Sequence, residues 1–321
     1  MHPEPGDCPR EAAESLDSAR RRSQPGKAAA LVGFLTLESL DRDLFRGWCH
    51  AGVPMRVFGG QVAAQSLVAA GLRAPPGRQV NSLHGYFLRP GDPARPILYY
   101  VERLRKGGTY ASARVTAVQA GEAIFVLAAS FKSAEQDSAD RHPTMPEAAA
   151  PEDLPDLYDN WADLNPDTYE EMEFLRVIQM RVVPTVSAAG KDPGRTEQLI
   201  WLRAAERLPD DPMLHACALT YASDLTLAGT AALSVQEPFY RRRGSRRIFM
   251  SSLDHAVWFH RPFRSDEWLL FAQHSPSLCD GRGLSHGEFW STDGRLVASV
   301  VQETLIRTPR DEPATPAGAD G

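Results

Sequence analysis

Residues 249–263 read FMSSLDHAVWFHRPF, which places Ser252, Asp254, His255 and His260 close together in a short aromatic stretch. Serine, histidine and aspartate are the groups of a nucleophilic hydrolase, in which the imidazole takes the hydroxyl proton and the carboxylate orients the imidazole. The apolar and aromatic residues around them predict a strand, where successive side chains point to opposite faces. Ser252 and Asp254 then share one face while His255 points away. A Ser–His hydrogen bond needs about 3 Å on one side. A consecutive triad is therefore rejected, unless a bulge re-aims one of its members.

Two further patterns suggest chemistry and fail on context. Gly283–Gly287, GLSHG, fits the G-x-S-x-G elbow, but that motif needs a helix after its serine and a histidine later in the chain. The chain instead continues as EFWSTDGRLVASVV, a hairpin pattern around Asp-Gly, and His286 is the last histidine. The nine histidines form no H-x-x-x-H or H-E-x-x-H arrangement, so no metal site is expected. GGQ at Gly59 and KGGTY at Lys106 lack the spacings of phosphate-binding loops.

Asp224 and Gln302 stand out by contrast with their neighbours. Asp224 lies in LTYASDLTLAGTAAL, at the start of a segment otherwise suited to full burial. It reads as a helix N-cap, as a functional carboxylate, or as both. A helix N-terminus offers free N–H groups and a positive dipole end, which can also stabilise an oxyanion. Gln302 sits in the apolar run LVASVVQETLI, where an amide without a partner is costly. A satisfied structural amide is the alternative there.

The elements around these residues repeat. SLHGYFLRP from Ser82 and SLDHAVWFHRP from Ser252 both close on Arg-Pro. Turns at Gln119 (QAGEA) and Thr292 (TDGRL) each precede an apolar strand, IFVLAASF and LVASVVQETLI. The offset drifts only from 170 to 173 residues, which points to a duplication. Each half also carries an uncharged or nearly uncharged, Ala-rich segment, GGQVAAQSLVAAGL from Gly59 and YASDLTLAGTAAL from Tyr221, expected to be a helix buried on every side. Strand-like runs rich in β-branched and aromatic residues come after each of them. One buried helix and several antiparallel strands, twice, predict an α+β fold of two sheets each wrapped around a helix.

Residues 1–30 and the tail 308–321 are polar and expected to be disordered. The acidic, Pro-rich stretch 133–167 reads as a linker or surface-hugging connector between halves at 31–132 and 168–307. The net charge of -6 gives no basic footprint for nucleic acid. Only four residues are lysine against 31 arginines, which reads as coding bias. Four scattered cysteines, Cys8, Cys49, Cys217 and Cys279, argue against disulfides and CxxC sites. No apolar run approaches the ~20 residues of a membrane span, and no signal-peptide pattern opens the chain, so a cytoplasmic location is expected.

Taken together, RVFGGQVAAQSLVAA, SLHGYFLRPGDP, YASDL, SLDHAVWFHRPF and LVASVVQE resemble the acyl-CoA thioesterase II family, over about Leu37 to Arg307. DEWLLF, RGLSHGEFW and DGRLVASVVQE look most like its bacterial members. The resemblance implies a double hotdog, two fused hotdog domains, and hydrolysis of fatty acyl-CoA to fatty acid and CoA without a metal or redox cofactor. It implies a homo-oligomer with acyl-CoA as its partner molecule. It also implies an Asp, Ser and Gln trio that activates water, matching Asp224 in YASDL, Ser252 in SLDH and Gln302 in VVQE. Asp224 would accept the proton, and Ser252 and Gln302 would hold the water and the carboxylate. Asp254 and His255 are then structural, or support the site from behind the residues that do the chemistry. Gln61 stands where the second half has Asp224, so one centre per chain is expected. Gly59 and Gly60 would let backbone approach the substrate closely or let the helix pack tightly, and His84 is a weaker assisting candidate than it is a core histidine. Arg89, Arg105, Arg264 and Arg282 could each meet CoA phosphates. The alternatives are a hotdog hydratase, which needs a His–Asp pair on its tunnel, and a non-catalytic acyl-CoA-binding or sensing protein.

Overall fold

The structure is a computed structural model that describes residues 31–49, 56–135, 139–159, 176–184, 196–236, 238 and 248–307. The segments 1–30 and 308–321, and parts of the connector, lie outside the described residues. The first half holds helices α1 (Leu31–Leu35) and α2 (Gly59–Gly71). Its strands are β1 (Glu38–Asp41), β2 (Leu44–Gly47), β3 (Arg78–Phe87), β4 (Ile97–Lys106), β5 (Tyr110–Gln119) and β6 (Glu122–Ser133). The second half holds β7 (Ile178–Val182), β8 (Glu197–Ala204), α3 (Pro212–Ser223) and α4 (Leu227–Thr230). It continues through β9 (Phe249–Ser252), β10 (Asp254–Phe259), β11 (Leu269–Cys279), β12 (Arg282–Ser291) and β13 (Leu296–Arg307).

These strands form one antiparallel sheet in the order β1-β2-β4-β5-β6-β3-β10-β13-β12-β11-β8-β7, with β9 continuing the line of β10 along β13. The order reads as the same pattern outward in both directions from the β3–β10 junction. Two hotdog layers are thus joined edge to edge, the double hotdog that the resemblance implies. Alternation sets the inner face: in β5, Ala111, Ala113, Val115 and Ala117 are buried while Arg114 is exposed. Small residues there let α2 lie close to the sheet. Hairpins between β5 and β6 and between β11 and β12 turn on Ala120–Gly121 and Asp280–Gly281, all at positive φ, the geometry that matches strand twist.

One helix is not where the Ala-rich pattern puts it. The helix of the second half is Pro212–Ser223, opened by Asp211, whose side chain accepts from the Met213 N–H. Asp224 comes directly after its last residue. The N-cap expectation for Asp224 is therefore corrected: it is the C-cap of α3, with φ -86 and ψ -8. The helix in PMLHACALTYAS escapes sequence reading because it is buried from His215 to Ser223 and shows no polar face to mark its period.

Helices α2 and α3 lie antiparallel against each other inside the sheet. A Cβ added at Gly60 would sit 2.6 Å from the Tyr221 carbonyl oxygen, and one at Gly71 would sit 2.5 Å from Met213 Cε. The N-terminus of each helix thus meets the C-terminus of the other. The described part of the connector lies flat on the outer face of the second half. There Trp201 Nε1 donates to the Ala149 carbonyl at 2.9 Å, and Met145 and Ala148 pack on Trp201, Trp290 and Leu270.

Gly85 on β3 tests how tightly the inner face is filled. An added Cβ would stand 2.3 Å from Phe125 Cζ and 2.9 Å from the Val126 carbonyl. We expect Gly85→Ala to destabilise by about 1–3 kcal/mol through overpacking, and Phe125→Leu to recover part of that loss in the double variant. Urea unfolding of the four proteins checks this, and strictly additive losses would contradict it.

Candidate active site

Asp224 enters the space between the helices at 8% exposure. Its Oδ1 accepts from Gln302 Nε2 at 2.5 Å and from Ser252 Oγ at 3.4 Å. Gln302 Nε2 also donates to Ser252 Oγ at 2.8 Å. The backbone N–H of Gly60, in the first turn of α2, donates to the same carboxylate. A Cβ at Gly59 would lie 2.8 Å from Asp224 Oδ2, so the glycine lets the helix end approach the charge. The helix N-terminus expected beside Asp224 is present, but the other half of the chain supplies it.

Burial pushes the Asp224 carboxyl up from 3.8 to about 6, against the lowering effect of its bonds to Gln302, Gly60 and Ser252. Desolvation wins because the carboxylate has hydrogen bonds but, among the described residues, no cation beside it.

The stretch Phe249–Phe263 departs from simple alternation. Ser252 pairs with Thr304, whereas Ala256 pairs with Val301, so four residues on one strand span three on the other. The extra residue is a bulge at Leu253, which ends β9 and starts β10. The bulge turns Ser252 and His255 to the same inner face, which corrects the expectation of opposite faces. They still do not pair. His255 is fully buried and its Nε2 lies 2.8 Å from Ser223 Oγ. That hydroxyl donates to the Thr220 carbonyl, so the imidazole is the donor between them. Burial lowers the His255 pKa to about 4, which keeps it neutral. Asp254 Oδ1 accepts the Glu303 N–H at 2.7 Å and caps the bulge.

The other candidates fall elsewhere. His84 is exposed on the outer face, edge-on to Trp258 at 4.9 Å, and is neither core nor site. Gln61 donates to the Trp48 carbonyl at 2.8 Å. By position at a helix C-terminus the counterpart of Asp224 is not Gln61 but Leu72, 53% exposed. GLSHG runs along β12 and makes no elbow. Burial raises Cys49 to about 12 and raises Cys217 as well, so neither supplies a thiolate. Among the described residues no cluster of three or more His, Cys, Asp or Glu could hold a metal, and no helix is long and apolar enough to cross a membrane.

A cavity of about 490 Å³ opens over the carboxylate. Its floor is apolar, with Val62, Ile124 and Phe125 almost wholly buried and Phe87 packed on Phe125 at 4.7 Å. Ser252 lines the wall, and Arg56 and Arg89 stand at the mouth with exposed Phe249. Arg89 is the one of the four candidate arginines on this cavity. Arg264 is engaged with Asp266 and Asp210, Arg282 with Glu303, and Arg105 lies at the end of β4. Sequence reading does not find Arg56. It donates to the Met250 carbonyl at 2.9 Å and covers the Phe249 ring, contacts across more than 190 residues that no local pattern announces.

A carboxyl raised by burial makes the folded state bind more protons than the unfolded chain between about pH 4 and pH 6. Its favourable contribution is then present below about 4 and lost as pH rises through about 6. We expect Asp224→Asn to be more stable than the parent at pH 8, by about 1–3 kcal/mol, with the difference shrinking toward pH 4. Equal unfolding free energies at both pH values would contradict the raised carboxyl.

Comparison with known proteins gives one consistent result. Residues 173–305 match the family described as acyl-CoA thioesterase, and residues 46–132 match the acyl-CoA thioesterase N-terminal domain. Acyl-coenzyme A thioesterase 8 of Mus musculus is 38% identical, over 88% of this chain and 90% of that protein. Acyl-CoA thioesterase 2 of Haemophilus influenzae is 36% identical, over 86% and 96%. The crystal structure of the acyl-CoA thioesterase II TesB2 from Mycobacterium marinum is 43% identical with a TM-score of 0.71, covering 86% of this chain and 98% of that one. With its two halves matched in order and most of its length aligned to such relatives, the chain belongs to the acyl-CoA thioesterase family.

Proposed function

We propose that the protein hydrolyses fatty acyl-CoA at a single centre in which Asp224 is the general base and Ser252 and Gln302 position the attacking water. The observation that carries this reading is the buried carboxylate, bonded by Gln302 and Ser252, at the foot of an apolar cavity with arginines at its mouth. An acyl chain suits the apolar floor, and the phosphates of CoA suit Arg56 and Arg89. Water attacks the thioester carbonyl while Asp224 takes one of its protons. The tetrahedral intermediate collapses with cleavage of the C–S bond, and the Asp224 carboxyl returns the proton to the departing sulfur. A base near 6 is ionised at neutral pH yet acidic enough, once protonated, to serve the leaving group. Among the described residues no histidine lines the cavity, which weighs against the hydratase alternative. The halves 31–132 and 168–307 act in this reading as one catalytic unit. Free edges at β1 and β7 support a homo-oligomer, and a cytoplasmic location completes the proposal.

Release of free thiol from a panel of acyl-CoAs tests the reaction. We expect Asp224→Asn to lower kcat by about 10²–10⁴-fold, the usual worth of general-base assistance, and kcat/KM of the parent to fall below about pH 6. Turnover that survives in a folded Asp224→Asn protein would place the chemistry elsewhere. For the mouth of the cavity, Arg56→Ala with Arg89→Ala should raise KM for acyl-CoA and leave kcat/KM for the acyl-pantetheine analogue unchanged. Equal losses on both substrates would remove the arginines from phosphate recognition.

A further inference from the structure

Three buried polar atoms without a hydrogen-bond partner lie beside one another next to this centre: Gln302 Oε1, Ser285 Oγ and Thr304 Oγ1. All three residues are completely buried. Ser285 on β12 stands directly opposite Gln302 on β13, and Thr304 lies two residues further along β13, opposite Gly283 on one side and Ser252 on the other. Opposed residues have Cβ atoms about 4.5–5.5 Å apart, and residues two apart on a strand share a face. The second polar patch on this inner face is different, since Gln198, Gln273, Thr226 and Thr230 bond one another.

A glutamine amide has a donor end and an acceptor end of nearly the same shape. With Nε2 turned to Asp224 and Ser252, the orientation serves the carboxylate. A half-turn would set Oε1 against the carboxylate, two acceptors facing each other. Something has to favour the first orientation, and a donor to Oε1 does so. The two hydroxyls set next to Oε1 by register are Ser285 and Thr304; neither bonds it as the side chains stand, and rotation about χ1 would bring a hydroxyl to it. Solvent does not reach them. A Cβ at Gly283 would meet Ala231 Cβ at 2.3 Å and one at Gly287 would meet Phe271 Cε2 at 2.2 Å, so both glycines bring covering groups down on this strip.

We propose that Ser285 and Thr304 are positioning residues whose hydroxyls donate to Gln302 Oε1 and so fix the amide with its Nε2 toward Asp224 and Ser252. The proposal rests on the reading of Asp224 as the base. It gives the serine of GLSHG a role that is neither nucleophilic nor local to its motif.

The test is the pH dependence of kcat and KM, from pH 5 to 9, for Ser285→Ala, Thr304→Val and the double variant, measured by thiol release from an acyl-CoA. On the elements about Asp224, burial lowers His215 and raises Cys217 and Tyr221 on α3, and raises Asp254 and lowers His255 to about 4 on β10. Asp254 accepts the Glu303 backbone N–H, and Arg56 and Arg89 line the cavity. Asp224 is the one carboxyl among the described residues that lines the cavity, so the acid limb reports it. We expect the double variant to lose about tenfold or more in kcat, equivalent to one lost orienting interaction, with KM unchanged. Its acid limb should move to higher pH, because a freed amide places Oε1 against the carboxylate for part of the time. Thr304→Ser, which keeps the hydroxyl, should behave as the parent. A double variant with the parent's kcat and acid limb overturns the proposal, and so does a fall in kcat with the limb unmoved. Variants that unfold are replaced by Ser285→Cys, which keeps the volume and weakens the donor, and an unmoved limb in that protein also overturns it. A parent enzyme that releases no thiol would instead sink the reading of the site.

Discussion

The structure depends on one contact, the Asp224 carboxylate held between two antiparallel helices from different halves of the chain. At the C-terminus of α3 an anion is disfavoured by the carbonyl end of the helix, and at the N-terminus of α2 it is favoured. The Gly60 N–H decides the balance locally, and Gly59 and Gly60 permit the approach because neither has a Cβ to collide with Asp224 or with Tyr221. Two helices this close need small residues between them and the sheet, which Ala63, Ala64, Ala216 and Ala218 supply from the helices. The continuous β3–β10 junction then keeps the halves in register.

A single extra residue at Leu253 matters nearly as much. Without the bulge Ser252 would face away from Gln302, and the carboxylate would lose the hydroxyl beside it. Asp254 accepts the Glu303 N–H at the irregularity, so the bulge has a hydrogen bond of its own. The side chain that looks catalytic in sequence thereby serves the backbone, and His255 pins the last turn of α3 through Ser223.

The centre also carries a cost. A carboxylate with hydrogen bonds and, among the described residues, no cation is stable enough to be held and uneasy enough to take a proton near neutrality. Similar tension attaches to the unpartnered polar atoms of Gln302, Ser285 and Thr304 beside it. Such departures from local consistency gather where a protein does chemistry.

The sequence by itself determined the fold class, the twofold repeat and the short list of polar residues in apolar surroundings. Alternation, turn chemistry and matched phrases are local signals, and β3, β10, the β5–β6 turn and the strands after it lie where they predict. It could not place the helix of the second half, because PMLHACALTYAS has no polar face to mark its period. Nor could it give the sign of the environment at Asp224, since cap position depends on which end of the helix the residue occupies. Tertiary structure alone decided that α2 supplies the N–H, that the bulge turns Ser252 inward, and that Arg56 stands beside Phe249. Each of these joins residues far apart in sequence across a packed interface, where position comes from volume and register and leaves no trace in local composition.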